Sequence, residues 1–406
     1  MKTDPRDIKI SEYTYNLPND RIAKYPIEPR DRAKLLIYRQ GNIYHVQFKD
    51  LAKELNQTLL VVNNTKVIYA RLLFQKKTGA KIEIFCLNPV NPSDYNLAFQ
   101  ARGKAIWSCM IGNLKKWKST DLERVFVYNN KQYILKAQYI GSCSENNTHN
   151  VSFEWDGELS FSQVLDSVGL VPIPPYLNRE AKLEDRYYYQ TMYSKLEGSV
   201  AAPTAGLHFT REVIDSLKEK GINWAEITLH VGAGTFRPVK SQTIGGHAMH
   251  TEYFTIRLEE LKKMRQNLET ITAVGTTTMR TLESLYWLGV KMIQGQNYNL
   301  ISQWMPYDNS VDYSTEQVLD YIIKKLDKSG EQQVEGWTQI IIVPGYKFRV
   351  VNNLITNFHQ PQSTLLLLVA AFVGEDWRKI YTYALENNFR FLSYGDASLL
   401  LGEKNN

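Results

Sequence analysis

The stretch "ITLHVGAGTFRPV", residues 227–239, decides which kind of α/β fold this 406-residue chain can adopt. Two glycines follow an alternating run, as in a nucleotide-binding loop. A dinucleotide fingerprint, however, needs a third glycine and a helix whose N-terminus receives the pyrophosphate. Arg237 occupies that third position, Pro238 follows, and Gly245 and Gly246 come soon after, so no helix of useful length opens there. The dinucleotide-binding reading fails. The stretch does define a strand with one polar face: Glu226, Thr228 and His230 alternate with Ile227, Leu229 and Val231. A sheet buried on both faces rarely carries such a row, so the polar face is expected to line a cleft. Gly232 and Gly234 then suit a turn that a ligand approaches closely.

Working outward, "FSQVLDSVG", "TREVIDSLKEKG", "LEELKKMRQN", "MRTLESLYWLG" and "TEQVLDYIIKKLDKSG" have amphipathic helical spacing, and several end at glycine. They alternate with strand-like "WAEITLHV", "YFTIRL", "TITAVG" and "TQIIIVP", which predicts an α/β domain. Between Leu59 and Trp155 the text is different: short β runs such as "KIEIFCL" and "NVSFEW", with "NN" at 129–130 as a hairpin turn. No long helical period interrupts them, which predicts a small antiparallel β-barrel or sandwich. The segment before residue 59 is too short to be a domain. The expected organisation is therefore an α/β domain made of residues 1–60 and 156–406, with residues 61–155 inserted as the barrel.

The charge is uneven. Net charge is +6, yet residues 61–155 alone hold 13 Lys and Arg against 6 Asp and Glu. Within them "NLKKWK" sets Lys115, Lys116 and Lys118 around Trp117, a composition suited to phosphate contacts with an aromatic alongside, or equally to a lysine-protected hairpin edge. The first 26 residues lack an apolar run, and "LLLLVAAFV" from Leu365 is too short to span a bilayer; with Ser363 and Thr364 as caps it is expected to be a buried helix. Cys86, Cys109 and Cys143 are odd in number and widely spaced, against a disulfide framework or zinc ribbon. A reduced, cytoplasmic protein with no membrane association is expected.

Polar chemistry recurs at strand ends. His208 sits in "VAAPTAGLHF", His230 on the polar strand face, and His359 in "ITNFHQPQST". "HAMH" at 247–250, with His230 or Glu252, offers zinc donors, but a glycine-flanked loop is poor ligand spacing and no metal is expected. In "TAVGTTTMRTLES" a strand ends in Thr276, Thr277 and Thr278 before a helix carrying Arg280 and Glu283 on one face. A hydroxyl-rich turn at the carboxyl end of a strand is where open α/β sheets bind ligands; the plainer role is helix capping.

Taken in order, "IEPRDRAKLL", "LLVVNNTKVIYARL", "PIPPYLNRE", "YYYQTMYSKLEGSVAAPTAGLHFT", "ITLHVGAGTFRPV", "HAMHTEYF", "AVGTTTMRTLES", "ITNFHQPQSTLLLLVAAFVG" and "RFLSYGDASLLL" resemble the motif series of the S-adenosylmethionine:tRNA ribosyltransferase-isomerase family of queuosine biosynthesis. The resemblance implies an α/β domain with an inserted β-barrel, and a tRNA substrate carrying 7-aminomethyl-7-deazaguanine at the wobble position. The ribosyl part of S-adenosylmethionine would be moved to the aminomethyl group and isomerised, giving epoxyqueuosine-tRNA with release of adenine and methionine. S-adenosylmethionine is then a substrate, and no permanently bound cofactor, metal or protein partner is implied.

That reaction needs a base for the proton on the carbon beside the sulfonium and an acid or hydrogen-bond donor for departing adenine. The candidates are His208, His230, His359 and Asp396. Thr204, Glu226, Thr228, Gly232, Gly234, Thr276, Thr277, Glu283 and Asn357 are expected around the substrate, Glu283 or Thr277 on the ribose hydroxyls, and Arg237 or Arg280 on the methionine carboxylate. The chain departs from many relatives at Asn64, Lys66 and Tyr69, where "NDTRVIPARL" is common, at Gln362 for a frequent lysine, and around "AIWSCMIGNLKKWK". An S-adenosylmethionine-dependent RNA methyltransferase and a non-catalytic RNA-binding protein are the rival readings. The first would need a glycine-rich loop after an early strand, and the second leaves the polar strand ends unused.

Overall fold

The alternating stretch forms the strand Asn223–His230 in the interior of a ten-stranded mixed sheet. The computed structural model describes residues 4–117, 121–143, 148–232, 239–311 and 313–402, with backbone only at residue 96. From edge to edge the sheet runs Leu300–Ile301, Gln333–Thr338, Glu252–Arg257, Asn223–His230, Leu59–Asn63, Ile271–Val274, Asn353–Asn357, Ala397–Leu401, Lys34–Arg39, Asn42–Gln47. The strands Asn223–His230, Leu59–Asn63, Ile271–Val274 and Asn353–Asn357 are mutually parallel, so their carboxyl ends meet at one end of the sheet. Leu59–Asn63 and Ile271–Val274 are buried at every position, as expected of parallel strands covered on both faces.

The helix Thr276–Ile293 crosses this sheet and packs on Thr315–Ser329. Gly289 was expected to end the first of these helices, yet the helix continues another turn. A Cβ at Gly289 would overlap Val318 and Ile322, so this glycine serves helix–helix approach. Gly330 does end its helix, in the left-handed conformation at φ 76°. Ser363 caps Thr364–Val373 by accepting from the Leu366 N–H, and the apolar run is a helix as read. Among the described residues no helix is long and apolar enough to cross a membrane.

The second sheet has six antiparallel strands between Arg71 and Trp155 and is nearly closed. Its edge strands Arg71–Gln75 and Leu122–Tyr128 are tied where Arg124 Nη1 donates to the Leu73 carbonyl at 3.0 Å. Ile82, Ile84 and Cys86 point inward with Trp107 and Phe153, while Glu83 pairs outward with Arg71, the period-two pattern of a barrel wall. Asn129 and Asn130 make the expected hairpin turn, both at positive φ.

Two strand readings need correction. "LLVVNN" does not belong to the barrel: Leu59–Asn63 pairs in the centre of the large sheet, because its unbroken apolar run needs cover on both faces. "TQIIIVP" is displaced: the strand is Gln333–Thr338, while residues 340–343 are buried without a ladder.

Candidate functional site

The parallel strands leave a cleft where Ile271–Val274 and Asn353–Asn357 end, with about 960 Å³ of open space. Crevices outside the carboxyl ends of such strands are the usual ligand sites of open α/β sheets. Gly275 turns the first strand into its helix at φ 97°, a conformation that suits glycine. Thr276 and Thr277 follow at the N-terminus of that helix and line the cleft. Ser363 and Thr364, at the N-terminus of Thr364–Val373, line the opposite part. Both helices thus direct unpaired N–H groups and the positive ends of their dipoles at one space. Such an arrangement favours a carboxylate.

His359 is the predicted histidine that lines this cleft. Its Nε2 lies 2.9 Å from Thr356 Oγ1, its backbone N–H donates to Tyr381 Oη at 3.0 Å, and its carbonyl accepts from Tyr15 Oη. The backbone is held from both sides, so the ring is fixed. Burial pushes its pKa down to about 3, and the imidazole is neutral near pH 7. Beside it stand Tyr176 Oη and Ser393 Oγ, 2.5 Å apart, together with Gln360 and Gln362. Leu392, also in the wall, holds φ at 69° with its N–H on the Phe358 carbonyl, a left-handed conformation that a bulky side chain adopts only under constraint.

Asn357 links the cleft to His208. Thr204 Oγ1 donates to Asn357 Oδ1 at 3.0 Å, which leaves Nδ2 to donate to His208 Nε2 at 3.3 Å. His208 is therefore a neutral acceptor behind the wall, its ring 5.0 Å from Phe48 and tilted by 34°, with a pKa lowered to about 4 by burial and by Arg390 and Arg30. It orients Asn357 instead of lining the cleft. Thr204 and Asn357 do line it.

The polar row of Asn223–His230 faces elsewhere. Val231 reaches the cleft, and alternation turns His230 to the opposite side. The His230 ring is stacked on Tyr95 at 4.4 Å and 12°, and lies 5.9 Å from Tyr253. It covers Gly198, where no Cβ fits, and burial lowers its pKa to about 4. Glu226 accepts from Lys195 at 2.6 Å and from Asn64 at 3.1 Å, and Thr228 donates to Asn64 at 2.9 Å. These side chains fasten the strand to the segments crossing it. Gly232 has open space where a Cβ would stand, so no close approach requires it; Gly234 and Arg237 lie outside the described residues.

Two carboxylates expected at the substrate are already engaged. Glu283 accepts from the N–H groups of Arg349, Val350 and Val351 and from Tyr346 Oη, all at 2.9–3.0 Å, deep in the core. Burial raises its pKa while those donors oppose the rise. Asp396 accepts from the Lys34 and Arg390 backbone N–H groups at 2.9 and 2.7 Å. Each holds a loop in place and is not in the cleft lining.

Arg280 lines a smaller chamber that shares Thr277, Thr364 and Leu365 with the cleft. Its Nη1 donates to Glu252 at 2.8 Å and its Nε to the Ile340 carbonyl. Burial would raise the Glu252 carboxyl, but His250, 3.0 Å away, and Arg280 hold it at about 2. The "HAMH" pair thus directs His250 Nε2 inward to Glu252 Oε1, 3.0 Å away. Among the described residues no group of three His, Cys, Asp or Glu is arranged to hold a metal.

In the barrel, Lys115 and Lys116 are exposed, but Trp117 is buried in the barrel core with its ring 5.9 Å from Tyr139. It is not free to stack on a base. Lys118 lies outside the described residues. Cleft residues outside the expected set include Tyr176, Tyr189, Thr356, Gln360, Gln362, Ser363, Thr364 and Ser393. Ser363 and Thr364 were read only as caps, and capping and ligand binding share the same N–H groups.

A family model described as queuosine biosynthesis protein matches residues 10–400. The chain is 38% identical over 402 residues to the S-adenosylmethionine:tRNA ribosyltransferase-isomerase of Sulfurihydrogenibium sp., covering 97% of this chain and 100% of the relative. It is likewise 38% identical over 401 residues to the protein of that name from Acetivibrio thermocellus, again covering 97% and 100%. It is similar to a solved structure, S-adenosylmethionine tRNA ribosyltransferase from Thermotoga maritima, at 29% identity over 96% of this chain and 100% of that one, with a TM-score of 0.46.

Proposed function

Since the chain belongs to the queuosine biosynthesis protein family, we propose that it moves the ribosyl part of S-adenosylmethionine onto 7-aminomethyl-7-deazaguanine at the tRNA wobble position and isomerises it. Epoxyqueuosine-tRNA, adenine and methionine are the products. The observation that carries the reading is the cleft between two helix N-termini with a neutral histidine in its wall.

In this reading the methionine carboxylate meets the N–H groups at Thr276, Thr277 and Thr364. Arg280 lines the adjoining chamber, its charge balanced by Glu252. His359, unprotonated and next to Thr356, accepts the proton lost from the carbon beside the sulfonium, whose positive sulfur acidifies it. Tyr176 and Ser393 supply hydroxyl donors for adenine or the ribose. Thr204, Asn357 and His208 form a positioning line behind the wall. Residues 1–60 and 156–406 make the donor unit, and residues 61–155 the basic unit that meets RNA. With its tRNA substrate the protein would work in the cytoplasm.

The test is product analysis after incubation with S-adenosylmethionine and tRNA bearing the modified base. Free adenine and methionine are expected. S-adenosylhomocysteine would make the protein a methyltransferase, and no turnover would leave it a binding protein.

A further inference from the structure

A second polar notch lies beside the main cleft and shares Ser393 with it. It is lined by Pro26, Arg30, His208, Arg390, Ser393 and Tyr394, among others. Arg30 is buried, 7% exposed, and has no carboxylate within ion-pair distance among the described residues. Its Nη1 and Nη2 donate to the carbonyls of Gln190, at 2.8 Å, and Tyr187, at 2.5 Å, while its Nε has no partner. A guanidinium held by carbonyls alone keeps its full charge, and burying an uncompensated charge is costly unless something completes it.

Arg390 stands opposite. Its Nη1 reaches the Tyr25 carbonyl at 3.4 Å, and its buried Nη2 makes no hydrogen bond, Asp396 being 3.7 Å away and already accepting from two backbone N–H groups. The other nearby acid, Asp185, is paired with Arg179 at 2.6 Å. Two arginines with unused donors therefore line one small space, Arg390 paired loosely with Asp396 and Arg30 with no carboxylate among the described residues.

The rim has its own chemistry. Tyr25 and Tyr187 are 41% and 62% exposed, with Arg179 4.3 Å and Lys182 5.2 Å from the Tyr25 ring and Arg30 4.5 Å from the Tyr187 ring. Exposed rings among cations beside an anion notch are the elements of a single-stranded nucleic-acid surface.

We infer that the Arg30–Arg390 notch takes a backbone phosphate of the RNA substrate next to the nucleotide entering the cleft. The inference rests on the tRNA reading above. A forked guanidinium suits a phosphate oxygen pair, and Ser393 sets the distance from notch to cleft.

The test compares Arg390→Gln and Arg30→Lys with the wild type. tRNA affinity is measured across a salt series and KM is measured separately for tRNA and S-adenosylmethionine. Each phosphate contact contributes roughly 0.7–0.9 to the log–log salt slope. Arg390→Gln is expected to lower the slope by about 1 and raise the tRNA Kd about tenfold at low salt, with KM for S-adenosylmethionine unchanged. Arg30→Lys, which keeps the charge but loses the fork, should fall between. Should that buried variant fail to fold, Arg390→Gln decides alone, because its side chain is on the rim. An unchanged slope overturns the inference. So does a raised KM for S-adenosylmethionine alone, which would make the notch a carboxylate site. A wild type that binds tRNA without salt dependence defeats the tRNA reading itself, and this site with it.

Discussion

Two parallel strands of the same sheet end near histidines, and the two histidines have different surroundings. Asn353–Asn357 runs into His359, whose ring lines the cleft. Asn223–His230 ends on a ring stacked against Tyr95 from the barrel segment. Both imidazoles have lowered pKa values and are neutral near pH 7, so their titration does not separate them. What separates them is direction and cover: His359 has space in front of it, and His230 has aromatic rings. A perturbed histidine at a strand end is thus a site only when the fold leaves its face open.

That comparison breaks most easily at turnover. His359→Ala is expected to lower kcat by a factor of roughly 10²–10⁴, as loss of a general base does, with tRNA Kd changed less than about threefold. His230→Ala should leave kcat within about fivefold and instead destabilise the fold by about 2–4 kcal/mol, because it opens a cavity between packed rings. Steady-state kinetics and chemical denaturation on both variants check this, and a folded His230→Ala with a hundredfold loss in kcat would reverse the assignment.

Acid should sharpen it. His208, His230 and His359 have folded pKa values of about 4, 4 and 3 against an ordinary 6.5. Below pH 6.5 the unfolded chain takes up protons that the folded one refuses. Stability is therefore fully present above about pH 6.5 and falls as pH drops toward 4, by roughly 1.4 kcal/mol per pH unit for each histidine. The stability of His230→Ala should fall less steeply over that window. The same values predict no loss of kcat between pH 8 and 6 from protonation of His359. A kinetic pKa near 6.5 that disappears in His359→Ala would contradict the low value.

The smallest effect is expected in the barrel. Replacing exposed Lys115 and Lys116 with Ala should reduce the salt slope of tRNA binding by at most about 1–2, with little change in kcat. Measured beside Arg390→Gln, it tells whether the RNA is held chiefly at the barrel edge or at the cleft rim.

Much of the fold was legible because its signals are local. Alternation set the two faces of residues 226–231, Ser363 marked the start of a buried helix, and Asn129–Asn130 marked a hairpin. The cleft was partly legible: Thr204, Thr276, Thr277, Asn357 and His359 line it, and their signal was a polar turn after an apolar strand. The rest depends on partners far along the chain. Asp396 has the composition of a catalytic carboxylate until Lys34 arrives 362 residues away, and Glu283 until the backbone of residues 349–351 closes on it. The Arg30–Arg390 notch is not legible in sequence, since a buried arginine without a carboxylate is visible only once its neighbours are placed.

Hydrogen exchange with and without S-adenosylmethionine tests the two strand ends in one experiment. Donor binding is expected to slow exchange at residues 275–278 and 356–366, where the two helix N-termini and His359 surround the cleft, and to leave 223–230 unchanged. Protection confined to 223–230, with none at 356–366, would put the donor on the other face of the sheet and contradict the account.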